Sequence, residues 1–148
     1  MIARLGKIVD CTFKSKYKLK IYGSCATKLS NPFSDIDLLL TGSLIFSNDK
    51  AVRILEILQK NLKLYPFITE SQLIPKTKIP LIKLRADPSI PFKTFPSVGQ
   101  PTSLQIDITV DIMDQHNLEN SSIRTTNYIK QCAKTFPSFV WNMRLLKY

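Results

Sequence analysis

The 148 residues of this chain, 44% of them hydrophobic, are enough for one folded domain with a buried core. A net charge of +10 favours a polyanionic partner such as nucleic acid. No apolar run approaches the roughly 18 residues of a membrane span, and residues 1–20 lack the apolar core of a signal peptide, so we expect neither a span nor a cleaved leader. Three widely separated cysteines fit neither a disulfide framework nor a zinc site, which predicts a reducing intracellular compartment, nucleus or cytoplasm.

The first part of the chain predicts a helix, a strand, a short helix and a second strand. Apolar residues recur with helical spacing over residues 4–13. Lysines alternate with apolar residues over residues 16–21, which is typical of a strand with one buried face. A glycine at position 23 ends that strand. The short helix is predicted at residues 25–29 and the second strand at residues 34–40.

The rest of the chain predicts further strands between helices. Ser47 or Asn48 can cap a helix over residues 49–64, whose leucines form an apolar stripe. Extended segments are predicted at residues 67–74, 78–85 and 104–112, a proline-rich loop at 86–103, and helices at 120–134 and after Pro137. The predicted fold class is therefore α/β (α+β), a mixed β-sheet flanked by helices.

Two aspartates stand in the second predicted strand, inside an apolar run. Side chains alternate in a strand, so Asp35 and Asp37 are expected on the same face. Two carboxylates side by side repel each other unless a cation lies between them. Solvated loop aspartates are the alternative, but residues 36–40 are too apolar for a loop. The pattern therefore favours a divalent metal site.

A third carboxylate and a phosphate-binding turn complete this prediction. Asp107 lies in an alternating strand and joins Asp35 and Asp37 if the two strands are neighbours. Three carboxylates can hold two magnesium ions, the arrangement that serves phosphoryl or nucleotidyl transfer. Gly23 would let the backbone approach a phosphate closely, and Ser24 would offer hydroxyl and N–H donors.

These motifs resemble those of the DNA polymerase β-like nucleotidyltransferases, and within them the terminal uridylyltransferase and poly(A) RNA polymerase type. Residues 22–27 (YGSCAT) followed by 34–37 (SDID) resemble the Gly-Ser and Asp-x-Asp motifs of the family. Residues 78–83 (KIPLIK) and 105–108 (QIDI) resemble two further strands. Residues 137–148 resemble the helix that opens the family's central helical domain, so the likeness extends over residues 4–148.

The resemblance implies a template-independent enzyme that adds AMP or UMP, from ATP or UTP, to RNA 3′ ends with Mg²⁺ or Mn²⁺. It implies a catalytic domain at residues 1–119 and the beginning of a helical domain at 120–148. The implied catalytic and metal-binding residues are Asp35, Asp37 and Asp107, and the implied nucleotide-binding residues are Gly23, Ser24, Thr125 and Lys147.

Two departures from the family pattern leave alternatives open. Thr125 stands where the family has an asparagine that touches the ribose, and the family continues beyond position 148 with the helices that read the base. We therefore expect the isolated chain to be nearly inactive, or to have its site completed by a partner protein. Two rival functions are nucleotide transfer to a small molecule or protein, and a catalytically silent domain that binds RNA or a partner enzyme.

Overall fold

Five strands form one mixed sheet in the order β1-β2-β5-β4-β3. The computed structural model describes residues 1–30, 34–90, 103–113 and 121–146. The strands are β1 (Lys18–Ile21), β2 (Ile36–Thr41), β3 (Ile68–Ile74), β4 (Leu81–Ala86) and β5 (Leu104–Val110). The helices are α1 (Ile2–Phe13), α2 (Gly23–Ala26), α3 (Asn48–Leu62), α4 (Ser121–Thr135) and α5 (Phe139–Leu145). The predicted mixed sheet with flanking helices is confirmed.

The centre of the sheet is a parallel pair of strands. β2 and β5 run parallel, with Leu38 opposite Ile108 and Asp37 opposite Asp107. The other pairs, β1 with β2, β4 with β5 and β3 with β4, are antiparallel. The two strands that carry the aspartates are therefore direct neighbours, as the sequence prediction required.

The two faces of the sheet differ in polarity. Leu38 and Leu40 of β2 belong to the buried core, together with Ile106 and Ile108 of β5. Because side chains alternate, the intervening residues lie on the opposite face. We call this opposite face, which carries Asp37, Asp107, Thr109 and Lys83, the polar face of the sheet.

Helices α1 and α3 contact each other, and both contribute to the core on the apolar side of the sheet. The predicted leucine stripe of α3 is buried, with Leu55, Leu58 and Leu62 fully covered. Of the two predicted caps, Ser47 is the N-cap, since its hydroxyl accepts a hydrogen bond of 3.3 Å from the Lys50 N–H.

The later helices attach to the segment that follows β1. α2 contacts both β2 and α4, and α5 contacts α4. Arg144 of α5 donates two hydrogen bonds, of 3.0 Å and 2.7 Å, to the backbone carbonyl of Lys28. These contacts hold α4 and α5 beside the turn at Gly23.

Several predicted boundaries differ from the structure. The predicted buried face of β1 is wrong at Ile21, which is 42% exposed because this four-residue strand lies at the edge of the sheet. β4 begins only at Leu81, since Pro80 has no N–H to donate to a neighbouring strand. Most of the predicted proline-rich loop lies outside the described residues. Among the helices that are described, none is long and apolar enough to cross a membrane.

Candidate active site

The polar face carries a pair of aspartates at its centre. Asp37 of β2 and Asp107 of β5 are register partners in adjacent parallel strands, which lie about 4.8 Å apart. Both side chains are half-buried. Asp35 is also half-buried and lies just before β2, which begins at Ile36. The structure therefore places the second and third predicted carboxylates side by side and the first next to the same strand end.

Asp107 is half-buried and has charged residues of both signs near it, and these shift its pKa. Desolvation by burial raises the pKa of the Asp107 carboxyl above its ordinary value, and the negative charge of Asp35 raises it further. Lys83, the register partner of Asp107 on β4, acts in the opposite direction and lowers that pKa. A cation near Asp107 would relieve the same repulsion.

Gly23 begins α2 directly against Asp37. Its φ of +64° lies in the left-handed region that side chains rarely adopt. A Cβ at this position would overlap the Oδ2 atom of Asp37 and lie 3.0 Å from its Cγ. The preceding residue, Tyr22, donates its N–H to the Asp37 carbonyl at 3.0 Å. Both the backbone conformation and the space therefore require glycine here.

Thr126 holds the turn at Gly23 in place through a hydrogen bond. The sequence analysis did not predict this role. The Gly23 N–H donates a hydrogen bond of 3.0 Å to Thr126 Oγ1, and the Thr126 hydroxyl donates one of 2.8 Å to the Ser122 carbonyl. Thr126 is only 5% exposed. Ser122 and Thr126 are spaced one helical turn apart, and this spacing was the available sequence signal. It does not reveal that the Gly23 N–H lies next to Thr126 in the folded chain.

Tyr22 was also missed. Its hydroxyl lies 3.4 Å from Thr109 Oγ1 on the polar face. Burial raises the pKa of Tyr22, and although the contact with Thr109 lowers it, the charges of Asp37 and Asp107 raise it further. The Tyr22 hydroxyl therefore lies on the polar face, where the charges of the two aspartates act on it. A tyrosine immediately before the glycine was the only sequence signal.

A cavity of about 400 Å³ opens between α2 and the later helices. Its volume falls within the usual range for small-molecule sites, roughly 300–1,000 Å³. Three of the predicted nucleotide-binding residues, Gly23, Ser24 and Thr125, line it, together with apolar residues such as Ile129 and Met143. We call it the nucleotide cavity, after these predicted residues. The fourth predicted residue, Lys147, lies outside the described residues.

A smaller polar cavity of about 200 Å³ lies on the other side of Asp107, across β3, β4 and β5. Lys83, Gln72 and Gln105 are among its lining residues. Arg85 and Glu70, also at this cavity, form an ion pair of 3.4 Å, but both side chains are more than half exposed, so the pair adds little stability. Asp107 therefore lines this polar cavity, whereas the nucleotide cavity is lined by Gly23, which lies against Asp37.

The residues present suit a hard divalent cation. Carboxylate oxygens are the ligands that magnesium prefers, and proteins usually hold it with one or two carboxylates plus substrate phosphates. Within the described ranges, no three Asp, Glu, His or Cys side chains are arranged to hold a metal ion by themselves. Two facing carboxylates with Asp35 nearby therefore fit a cation that also needs ligands from a bound triphosphate.

Several solved structures share the fold of this chain. The polymerase core of TRAMP, an RNA surveillance complex, matches with a TM-score of 0.71 at 20% identity and covers 99% of this chain. mtPAP in complex with ATPγS matches with a TM-score of 0.70 at 18% identity over 97%. Cid1, described with RNA terminal uridylyl transferase activity, matches with a TM-score of 0.68 at 21% identity over 99%. The matches span 38%, 30% and 36% of those three chains.

These identities are low enough that the structural likeness establishes the fold and nothing more. No curated protein sequence matches the chain. Residues 1–132 match the family described as the central palm domain of poly(A) RNA polymerase, mitochondrial-like. That match covers most of the 148 residues. The chain therefore belongs to the family of mitochondrial-like poly(A) RNA polymerase palm domains.

Proposed function

We propose that the chain is the catalytic palm of a metal-dependent terminal RNA nucleotidyltransferase that adds AMP or UMP to RNA 3′ ends inside the cell. The observation that carries this proposal is the register pair Asp37–Asp107 directly beneath the glycine turn at Gly23. Membership of the palm-domain family and the polymerases that share the fold support it.

In this proposal all three aspartates bind the metal ions, and Asp107 also acts as a base. Asp35, Asp37 and Asp107 would hold Mg²⁺ or Mn²⁺ together with the triphosphate oxygens. When bound, such ions stabilise the charge on the attacking and leaving oxygens. Asp107 would also accept the proton of the RNA 3′ hydroxyl, since burial and Asp35 raise its pKa and so its basicity.

The nucleoside triphosphate, ATP or UTP, would occupy the nucleotide cavity. Gly23 and Ser24 would contact the triphosphate, with Lys147 as a further contact, and Thr125 would lie near the ribose. Because the Gly23 N–H already donates to Thr126, this turn is held in place before a ligand arrives. Holding the triphosphate still for in-line attack is a large part of nucleotidyl transfer.

A tailing assay tests this proposal. A 5′-labelled RNA of about 15 nucleotides is incubated with ATP or UTP and Mg²⁺ or Mn²⁺. We expect the 148-residue chain to extend it slowly and with little preference between the nucleotides, and Asp107→Ala to lower the rate by at least about 100-fold. Glu56→Ala, which removes an exposed carboxylate from α3, is the matched control. An Asp107→Ala rate equal to that of the unchanged chain contradicts the proposal.

A second candidate function is a catalytically silent domain that binds RNA or a partner enzyme. The observation that favours it is Thr125, which stands where the resembled family has an asparagine that touches the ribose. RNA binding without any extension above the Asp107→Ala background, with all nucleotide and metal combinations, would select this candidate.

A further inference from the structure

A third cavity, of about 260 Å³, lies between β1 and α4, beside the candidate active site. Lys20 contributes from β1, and Asn127 and Lys130 contribute from α4. Tyr22 and Thr126 line both this cavity and the nucleotide cavity, so the two compartments share a wall. We call this third cavity the β1–α4 groove.

The β1–α4 groove opens on the polar face of the sheet. Lys20 is the register partner of Leu39, which is in turn the partner of Thr109. Cross-strand partners share a face, so Lys20 lies on the same face as the aspartate pair. Lys18, two residues earlier in β1, lies on that face as well. Positive charge therefore lines the edge of the face whose centre is acidic.

Two lysines from distant parts of the sequence converge on this groove. Lys20 and Lys130 are both exposed, and neither has a carboxylate partner among the residues that the structure describes. Like charges that face one cavity repel each other, and an anion between them removes that repulsion. The groove has the chemistry of a phosphate site, with an amide from Asn127 beside the two cations.

We propose that the β1–α4 groove binds backbone phosphates of the RNA strand behind its 3′ end, as a contact separate from the nucleotide cavity. The proposal rests on the proposed function, which makes RNA a substrate. In the proposed function the triphosphate contacts the turn at Gly23, which lines the nucleotide cavity and not the groove. Lysine contacts to phosphates are independent of sequence, which suits an enzyme that extends an RNA end without a template.

The salt dependence of RNA binding tests this groove directly. Binding of a fluorescent oligo(A) of about 12 nucleotides is measured at several salt concentrations for the unchanged 148-residue chain and for Lys20→Gln with Lys130→Gln. Each phosphate contact on a single strand contributes about 0.7 to the slope of log K against log salt, so two lost contacts should make the slope shallower by about 1.4. Mg-ATP binding should stay unchanged.

Two matched controls separate the groove from net charge and from folding. Lys60→Gln with Lys63→Gln removes the same charge from exposed positions at the end of α3 and should leave the slope within about 0.3 of the original. Lys20→Arg with Lys130→Arg keeps the charge and should keep the slope.

Three results overturn the assignment. The first is an unchanged slope in the Lys20/Lys130 variant, and the second is an equal loss in the Lys60/Lys63 control. The third is weaker Mg-ATP binding without weaker RNA binding, which would place the groove in the triphosphate site. Failure of the proposed function is distinguishable, because RNA binding that depends on the groove without any tailing leaves this inference standing.

Discussion

Gly23 and Asp37 show how closely two single residues constrain each other. The left-handed backbone at Gly23 puts the missing Cβ where the Asp37 carboxylate lies. Any side chain at position 23 would therefore strain the backbone and displace the aspartate in one change. The turn at Gly23 and the Asp37 carboxylate therefore pack as one unit.

Gly23→Ala tests this unit against a glycine with no such constraint. We expect it to lower the free energy of unfolding by more than about 1 kcal/mol, since alanine is incompatible with this φ, and to abolish nucleotide binding. Gly6→Ala is the control: Gly6 lies within α1 with open space around its Cβ position, and alanine there should stabilise by about 0.5–1 kcal/mol. Urea unfolding measures the stability of both variants. A Gly23→Ala chain as stable as the original would refute the account of this turn.

At the scale of elements, the strand register decides which charged residues lie next to Asp107. Asp107 on β5 has Lys83 opposite it on β4 and Asp37 opposite it on β2. The strand register thus places a cation, Lys83, on one side of Asp107 and a carboxylate, Asp37, on the other side. The pKa of Asp107 lies above its ordinary value because burial and Asp35 outweigh Lys83.

This raised pKa predicts how stability changes with pH in metal-free buffer. The folded state holds the Asp107 proton more tightly than the unfolded chain, so the associated stability is present below the ordinary aspartate pKa and is lost as pH rises through the folded value. We expect Asp107→Asn to melt at a higher temperature than the original chain near pH 7, with the difference shrinking toward pH 4.

The control for this prediction is Glu56→Gln, an exposed carboxylate on α3, which should show no such pH-dependent difference. Lys83→Met should increase the loss of stability with rising pH, because Lys83 lowers the pKa of Asp107. If Asp107→Asn melted at a lower temperature than the original chain at neutral pH, this would contradict the raised pKa of Asp107.

The sequence predicts the elements well where hydrophobic periodicity is strong. The α3 stripe, the mixed sheet and the neighbouring aspartate strands follow from alternation and helical spacing. Thr126 and Lys83 could not be predicted as neighbours of the site, because their roles depend on which elements lie opposite them. Ile21 alternates like a buried residue but is exposed, since periodicity does not reveal that β1 is an edge strand.

At the scale of the whole molecule, one face of the sheet is apolar and the other is polar and charged. The apolar face, with α1 and α3, supplies the core. The polar face carries the aspartate pair at its centre, with Lys20 on the β1 side and Lys83 on the β4 side. A central acidic pair suits a metal ion, and the flanking lysines suit the phosphates of a nucleotide and of an RNA strand. The roles of all the predicted site residues, with Asp35, Thr125 and Lys147 among them, and the domain division at residue 119 stay predictions.

The central claim is that the Asp37–Asp107 pair holds a divalent metal together with a nucleoside triphosphate. Magnesium sheds its water reluctantly, so metal alone should bind weakly and the metal–nucleotide complex more tightly. Calorimetric titration of Mn²⁺ with and without ATP measures this coupling. We predict that ATP tightens Mn²⁺ binding at least about tenfold in the original chain and in Glu56→Ala, and that Asp37→Ala with Asp107→Ala abolishes the effect. The same coupling in the double aspartate variant would contradict the account.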